Sequence, residues 1–117
     1  MELFHGSPER LTVLVKGSFV TPMLGRAAKY ARYPSNGQGV PIGFIYSFDA
    51  AEDEIDWDER PDCRQGRLKR PFKAARYTVC DMPLNLVERD SPIRIRPDHS
   101  FYWNMPGKPA VVWSPIE

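Results

Sequence analysis

"IGFIYSFDA", Ile42 to Ala50, is a nearly continuous apolar and aromatic run. Nine residues of this kind, rich in Ile, Phe and Tyr and preceded by Pro41, predict a strand buried on both faces. Such a strand needs partners on either side and cover above and below, so the rest of the chain is read for what supplies them. Towards the N-terminus, "PSNGQGVP" (Pro34 to Pro41) has only loop chemistry. Before it, "MLGRAAKYARY" sets Leu24, Ala27, Ala28 and Ala31 near one face with Tyr30 and Tyr33 on its flanks, the spacing of a short amphipathic helix. Thr21 followed by Pro22 is a helix start, a capping hydroxyl and then a proline at the first helical position, so the helix is expected from Pro22 to Tyr33. "RLTVLVKGSFVTP" alternates loosely and gathers Phe19, Val20 and Thr21 into a strand-forming cluster. At the start of the chain, Leu3 and Phe4 begin a strand that His5 is expected to end, and "HGSP" turns away from it.

Beyond Ala50 lies a block of two charge signs. Asp49, Glu52, Asp53, Glu54, Asp56, Asp58 and Glu59 precede Arg60, Arg64, Arg67, Lys69, Arg70, Lys73 and Arg76. The plain reading is a solvated loop whose halves neutralise each other; the sharper one is a partner- or phosphate-docking segment, since arginine clusters recognise phosphates. Trp57, amid the acids, reads either as an anchor folded back on the core or as an exposed contact residue, with the anchor favoured. "ARYTVCD" (Ala75 to Asp81) is a further strand, and "NLVERDSPIRIRP" holds one or two more. A last strand is expected around Val111 to Trp113.

These elements fit one domain over residues 1–117, because a chain of this length has material for one core and not two. Twelve prolines and eight glycines argue for short elements and against a helical bundle. The expected architecture is a β-rich α+β domain: two small, mostly antiparallel sheets packed together, with one short helix near the N-terminus. A net charge of +1 excludes a global field for nucleic acid or membrane. Cys63 and Cys80 make neither a disulfide framework nor a metal spacing, and neither a leader nor an apolar span is visible, so a cytoplasmic protein with reduced thiols and no membrane partner is the expectation.

The order of the pieces carries more than any one of them. A His5-Gly6-Ser7 strand end, a Gly17-Ser18-Phe19-Val20-Thr21 strand and a helix bearing Ala27-Ala28-Lys29-Tyr30 together resemble the ADP-ribosyltransferase superfamily. The resemblance covers about the first fifty residues closely and the remainder by element order. It implies NAD as cofactor and a macromolecular acceptor, protein or nucleic acid. It implies that His5 holds the nicotinamide ribose, that the Gly6 backbone holds the carboxamide with Ser7 beside it, and that Tyr30 stacks on nicotinamide. Phe19 stands where the family has its first tyrosine, Thr21 where a small residue flanks the pocket, and Ala27 where a helix serine is common. In "ARYTVCD" the family's catalytic glutamate is replaced by Arg76, which puts Arg76 with His5 at the expected catalytic position. A carboxylate stabilises the positive ribosyl centre as nicotinamide leaves, and an arginine opposes it. Three readings are open: transfer supported by another carboxylate such as Glu59 or Glu88, a catalytically altered binder of NAD, ADP-ribose or a nucleotide phosphate, or a β-rich interaction protein docking through its 49–76 segment. Taken singly, His5 also fits an ordinary strand-end histidine, and Tyr30 ordinary core packing.

Overall fold

The structure, a computed structural model, describes residues 1–33, 38–58, 65–81 and 112–116, and the backbone of 93–95 and 101–103. The expected central strand is there. Strand β4 (Gly43–Asp49) lies between β1 (Glu2–Ser7) and β8 (Arg76–Cys80), and β11 (Ser114–Pro115) pairs with the far side of β8. All these pairings are antiparallel. Position by position, β4 has Ile45, Tyr46, Ser47 and Phe48 buried in succession, which is why its sequence shows no alternation.

A second sheet is made, in spatial order, by β3 (Phe19–Val20), β6 (Gly66–Leu68) and β5 (Ile55–Trp57). Two ribbons complete the set among the described residues: β2 (Val13–Leu14) with β7 (Phe72–Lys73), and β9 (Ile93–Ile95) with β10 (Phe101–Trp103). The β-rich class with one helix is as expected, but the strands divide into more than two sheets.

Apolar side chains fall into two layers. On one sheet face, Phe4, Ile45 and Cys80 pack under helix α1 (Leu24–Arg32) with its Leu24, Ala27, Ala28 and Ala31. On the other face, Leu3, Tyr46 and Phe48 pack against Val20, Ile55 and Leu68 of the second sheet and Leu14 and Phe72 of the ribbon. The helix sits very close to the sheet. A Cβ on Gly6 would come 1.9 Å from the Ala27 carbonyl oxygen, and one on Gly43 would come 2.2 Å from that of Ala31. Alanines above and glycines below are what allow this approach. At its C-terminal end Arg32 is 2 % exposed, with Nε donating to the Val40 carbonyl at 2.7 Å and one guanidinium nitrogen 4.0 Å from Cys80 Sγ. Burial pushes the Cys80 thiol up to about 11, and the Arg32 contact offsets only part of that.

Several local expectations shift. The first strand does not end at His5 but runs to Ser7, because β4 offers partners for the whole stretch. The helix starts at Leu24, not Pro22. Thr21 is already committed to a backbone bridge with Phe4, and its hydroxyl accepts the Met23 amide at 3.0 Å, a turn ahead of the helix. The last strand falls at Ser114–Pro115, with Val112 and Trp113 ahead of it in no strand; Val111 lies outside the described residues. Most of all, the charged segment is not a solvated loop. It contains β5, β6 and β7, with Ile55 and Leu68 each 2 % exposed, and Trp57 packs at the core's edge as an anchor does. Asp56 stands opposite Arg67 across the ladder, and Glu54 pairs with Arg70, so the charges line outer faces while alternate residues turn inward. Glu59, Arg60, Cys63, Arg64 and Glu88 lie outside the described residues.

Candidate functional site

His5 projects from β1 onto the face it shares with Tyr46 of β4, its directly opposite neighbour, and with Tyr77 of β8, which stands opposite Tyr46. Its Nδ1 lies 2.6 Å from the Phe19 carbonyl oxygen. A carbonyl only accepts, so the proton is on Nδ1 and Nε2 carries the lone pair. Burial holds the imidazole below its ordinary 6.5, against the opposing pull of that carbonyl. At neutral pH this is an uncharged imidazole.

Phe19 stands on β3 and is 40 % exposed. Its ring stacks on that of Tyr30 from α1, centroids 6.0 Å apart and planes 22° from parallel. The Arg67 guanidinium lies over the Phe19 ring at 4.0 Å and donates to the Gly17 carbonyl at 3.1 Å. The Tyr30 hydroxyl donates to Gln65 Oε1 at 2.6 Å, and Gln65, itself 8 % exposed, also takes Arg26 at 3.5 Å and gives its amide to Asp58 at 3.5 Å. A cleft of about 420 Å³ opens beside Phe19, Trp57, Gln65 and Arg67.

The fold therefore brings His5, Phe19 and Tyr30 into one continuous contact. Gly6 adjoins it. Phe4 exchanges both backbone bonds with Thr21, at 2.8 and 3.0 Å, so the Phe4 peptide groups point away from β4. Two residues on, the Gly6 N–H and C=O point the same way, past the place where β1 and β3 part. Ser7 is turned to a local role, its hydroxyl accepting the Glu9 amide at 3.1 Å, and Thr21 is buried at the bridge with 1 % exposure.

Arg76 is elsewhere. It stands opposite Ser47, which stands opposite Phe4, and so occupies the sheet face that His5 does not. There it makes an ion pair with Glu2 at 2.8 Å, and Ser47 donates to the same Glu2 oxygen at 2.7 Å. On β8 it is Tyr77 that shares the His5 face. No cluster of His, Cys, Asp and Glu that could hold a metal occurs among the described residues. No helix among them is long and apolar enough to cross a membrane.

Gln65 is the site residue that the sequence did not single out, and Arg67 stood out only as one of a block of charges. Gln65 lies 35 positions from Tyr30, inside a segment whose charges read as loop. Compared with family models, with curated proteins and with solved structures, the chain has no match.

Proposed function

We propose that the chain is a small NAD-binding protein of the ADP-ribosyltransferase type, acting on a macromolecular acceptor, protein or nucleic acid. The observation that carries this reading is the contact from His5 through the Phe19 carbonyl to the Phe19–Tyr30 ring pair. The nicotinamide of NAD is a flat cation with an amide. Two aromatic faces attract such a ring, and a peptide N–H and C=O on one edge, as at Gly6, match both ends of its carboxamide. A neutral His5 adds no charge against the pyridinium or against the ribosyl cation formed after it. A ring held between Phe19 and Tyr30 needs their planes about 7–8 Å apart, two contact distances of ~3.5–4 Å. The two rings are stacked with centroids 6.0 Å apart, so the exposed Phe19 has to swing away from Tyr30 to admit it.

In the transfer, the bond between C1′ of the ribose and the nicotinamide nitrogen breaks. The electron pair leaves with nicotinamide, and a nucleophile of the acceptor bonds to C1′. A carboxylate is the natural group to steady that carbon. Neither Tyr77 nor Arg76 of β8 supplies one, and Arg76 is spent on Glu2 on the other face. This favours a second reading beside the first, a domain that holds NAD or ADP-ribose without reacting, or one that borrows a carboxylate from the acceptor.

Calorimetric titration with NAD is expected to give saturable heat, and Tyr30→Ala to weaken it about tenfold, the loss of one aromatic contact. No heat at millimolar NAD overturns the NAD reading. With binding secured, mass spectrometry after incubation with labelled NAD and candidate acceptors separates transferase from reader.

A further inference from the structure

A second cleft, of about 450 Å³, opens on the His5 face of the sheet between the 9–12 loop and β11. None of Gly6, Phe19 and Tyr30 lines it, so a ligand here is independent of the NAD reading. Among the described residues its one charged lining residue is Arg10, and the chain on either side of this arginine is held in place. The Tyr46 phenol accepts the Leu11 amide at 2.6 Å and donates to the Glu9 carbonyl at 2.9 Å, tying down the peptide on either side of Arg10. The guanidinium then lies over the Tyr77 ring at 4.7 Å and near the Phe44 ring at 5.9 Å. No carboxylate among the described residues comes within ion-pair distance, 4.0 Å, of it.

An arginine never gives up its charge, and stacking uses its flat faces while leaving the in-plane N–H fork to be satisfied. Hydroxyl-bearing Thr12, Tyr77 and Ser114 line the same cleft, and among the described residues no acidic side chain does. A fixed cation with several neutral donors around it is suited to an oxyanion. Donors from three elements outnumber what the two oxygens of a carboxylate can use, and suit a tetrahedral group. We propose that the Arg10 cleft binds a phosphoryl group, either free phosphate or the phosphate of a nucleotide monoester, with Arg10 taking its charge.

The test is an amide-resolved NMR titration of the full chain with inorganic phosphate, AMP and adenosine at constant ionic strength. Saturable shifts at Leu11 and Tyr77 are expected with phosphate or AMP and not with adenosine. The tighter of the two names the source. Arg10→Gln is expected to weaken binding at least about tenfold, the usual order for a charge-assisted contact, and Arg10→Lys, which keeps charge but loses the fork, to fall between. Tyr30→Ala is expected to leave it unchanged. Arg10 is exposed, so these variants are expected to keep the wild-type amide spectrum elsewhere. Equal binding by Arg10→Gln, shifts reproduced by chloride alone, or no shifts with either phosphate overturns the proposal.

Discussion

His5 links the candidate site to the stability of the protein. Its imidazole is half-buried, and the lost hydration lowers its pKa, so the folded state prefers the neutral ring. The stabilising contribution is therefore complete above the unfolded value near 6.5 and is lost as pH falls through the folded value. Unfolding free energy is expected to decline from about pH 6.5 downward, and NAD binding, where present, to weaken in the same window. His5→Gln, which keeps a donor for the Phe19 carbonyl but does not titrate, is expected to flatten the slope relative to wild type. Identical pH profiles for the two proteins would remove His5 as the cause. At this scale the sequence singled out His5, Phe19 and Tyr30, and the structure joins His5 to the Phe19 backbone and the Phe19 ring to Tyr30, while the described cleft beside Phe19 is lined by neither His5 nor Tyr30. It was silent about Arg10 and Gln65, whose roles come from ring and hydrogen-bond partners far along the chain, Phe44 and Tyr77 for the one and Tyr30 for the other.

Among the elements, α1 depends most on what lies beneath it. Nine residues without a side-chain cap make a marginal helix in water, so its stability must come from packing. That packing requires glycine at Gly43, where an added Cβ would strike the backbone of Ala31. Gly43→Ala is expected to cost on the order of 3 kcal/mol, the upper range for overpacking, since a helix backbone and not a flexible side chain must yield. Gly17 provides the control. Its φ of +88° is unfavourable for alanine, yet no atom lies within 4 Å of the new Cβ, so Gly17→Ala is expected to cost only about 1–2 kcal/mol. Urea unfolding of the two variants checks the order, and a Gly43→Ala protein as stable as Gly17→Ala would mean that the helix can lift. The apolar face of α1 could be read from its periodicity. The strands β5 and β6 could not, because Asp56 and Arg67 sit between the inward residues and the run of charges hides a two-residue alternation.

For the whole molecule, what the sequence left open is parity. Strand β8 was recognisable, but whether Arg76 or Tyr77 faces His5 depends on pairing register, and a shift of one residue exchanges the faces. Nothing local to "ARYTVCD" fixes that. The two sheets also differ in how firmly they are joined. The four-stranded sheet is laced by long ladders, whereas its backbone link to the three-stranded sheet, among the described residues, is the single Phe4–Thr21 bridge. Two amide protons thus stand guard over one seam. In deuterated solvent the Phe4 and Thr21 amides are expected to exchange together, and sooner than the Leu3 and Ile45 amides, because parting the seam releases both without unravelling β4. Exchange of all four at one common slow rate would show instead that the sheets open only when the chain unfolds. A ligand wedged at the mouth of that seam, beside Gly6, would slow the first pair and leave the second untouched, so the deuterium clock of two residues reports occupancy without any label on the ligand.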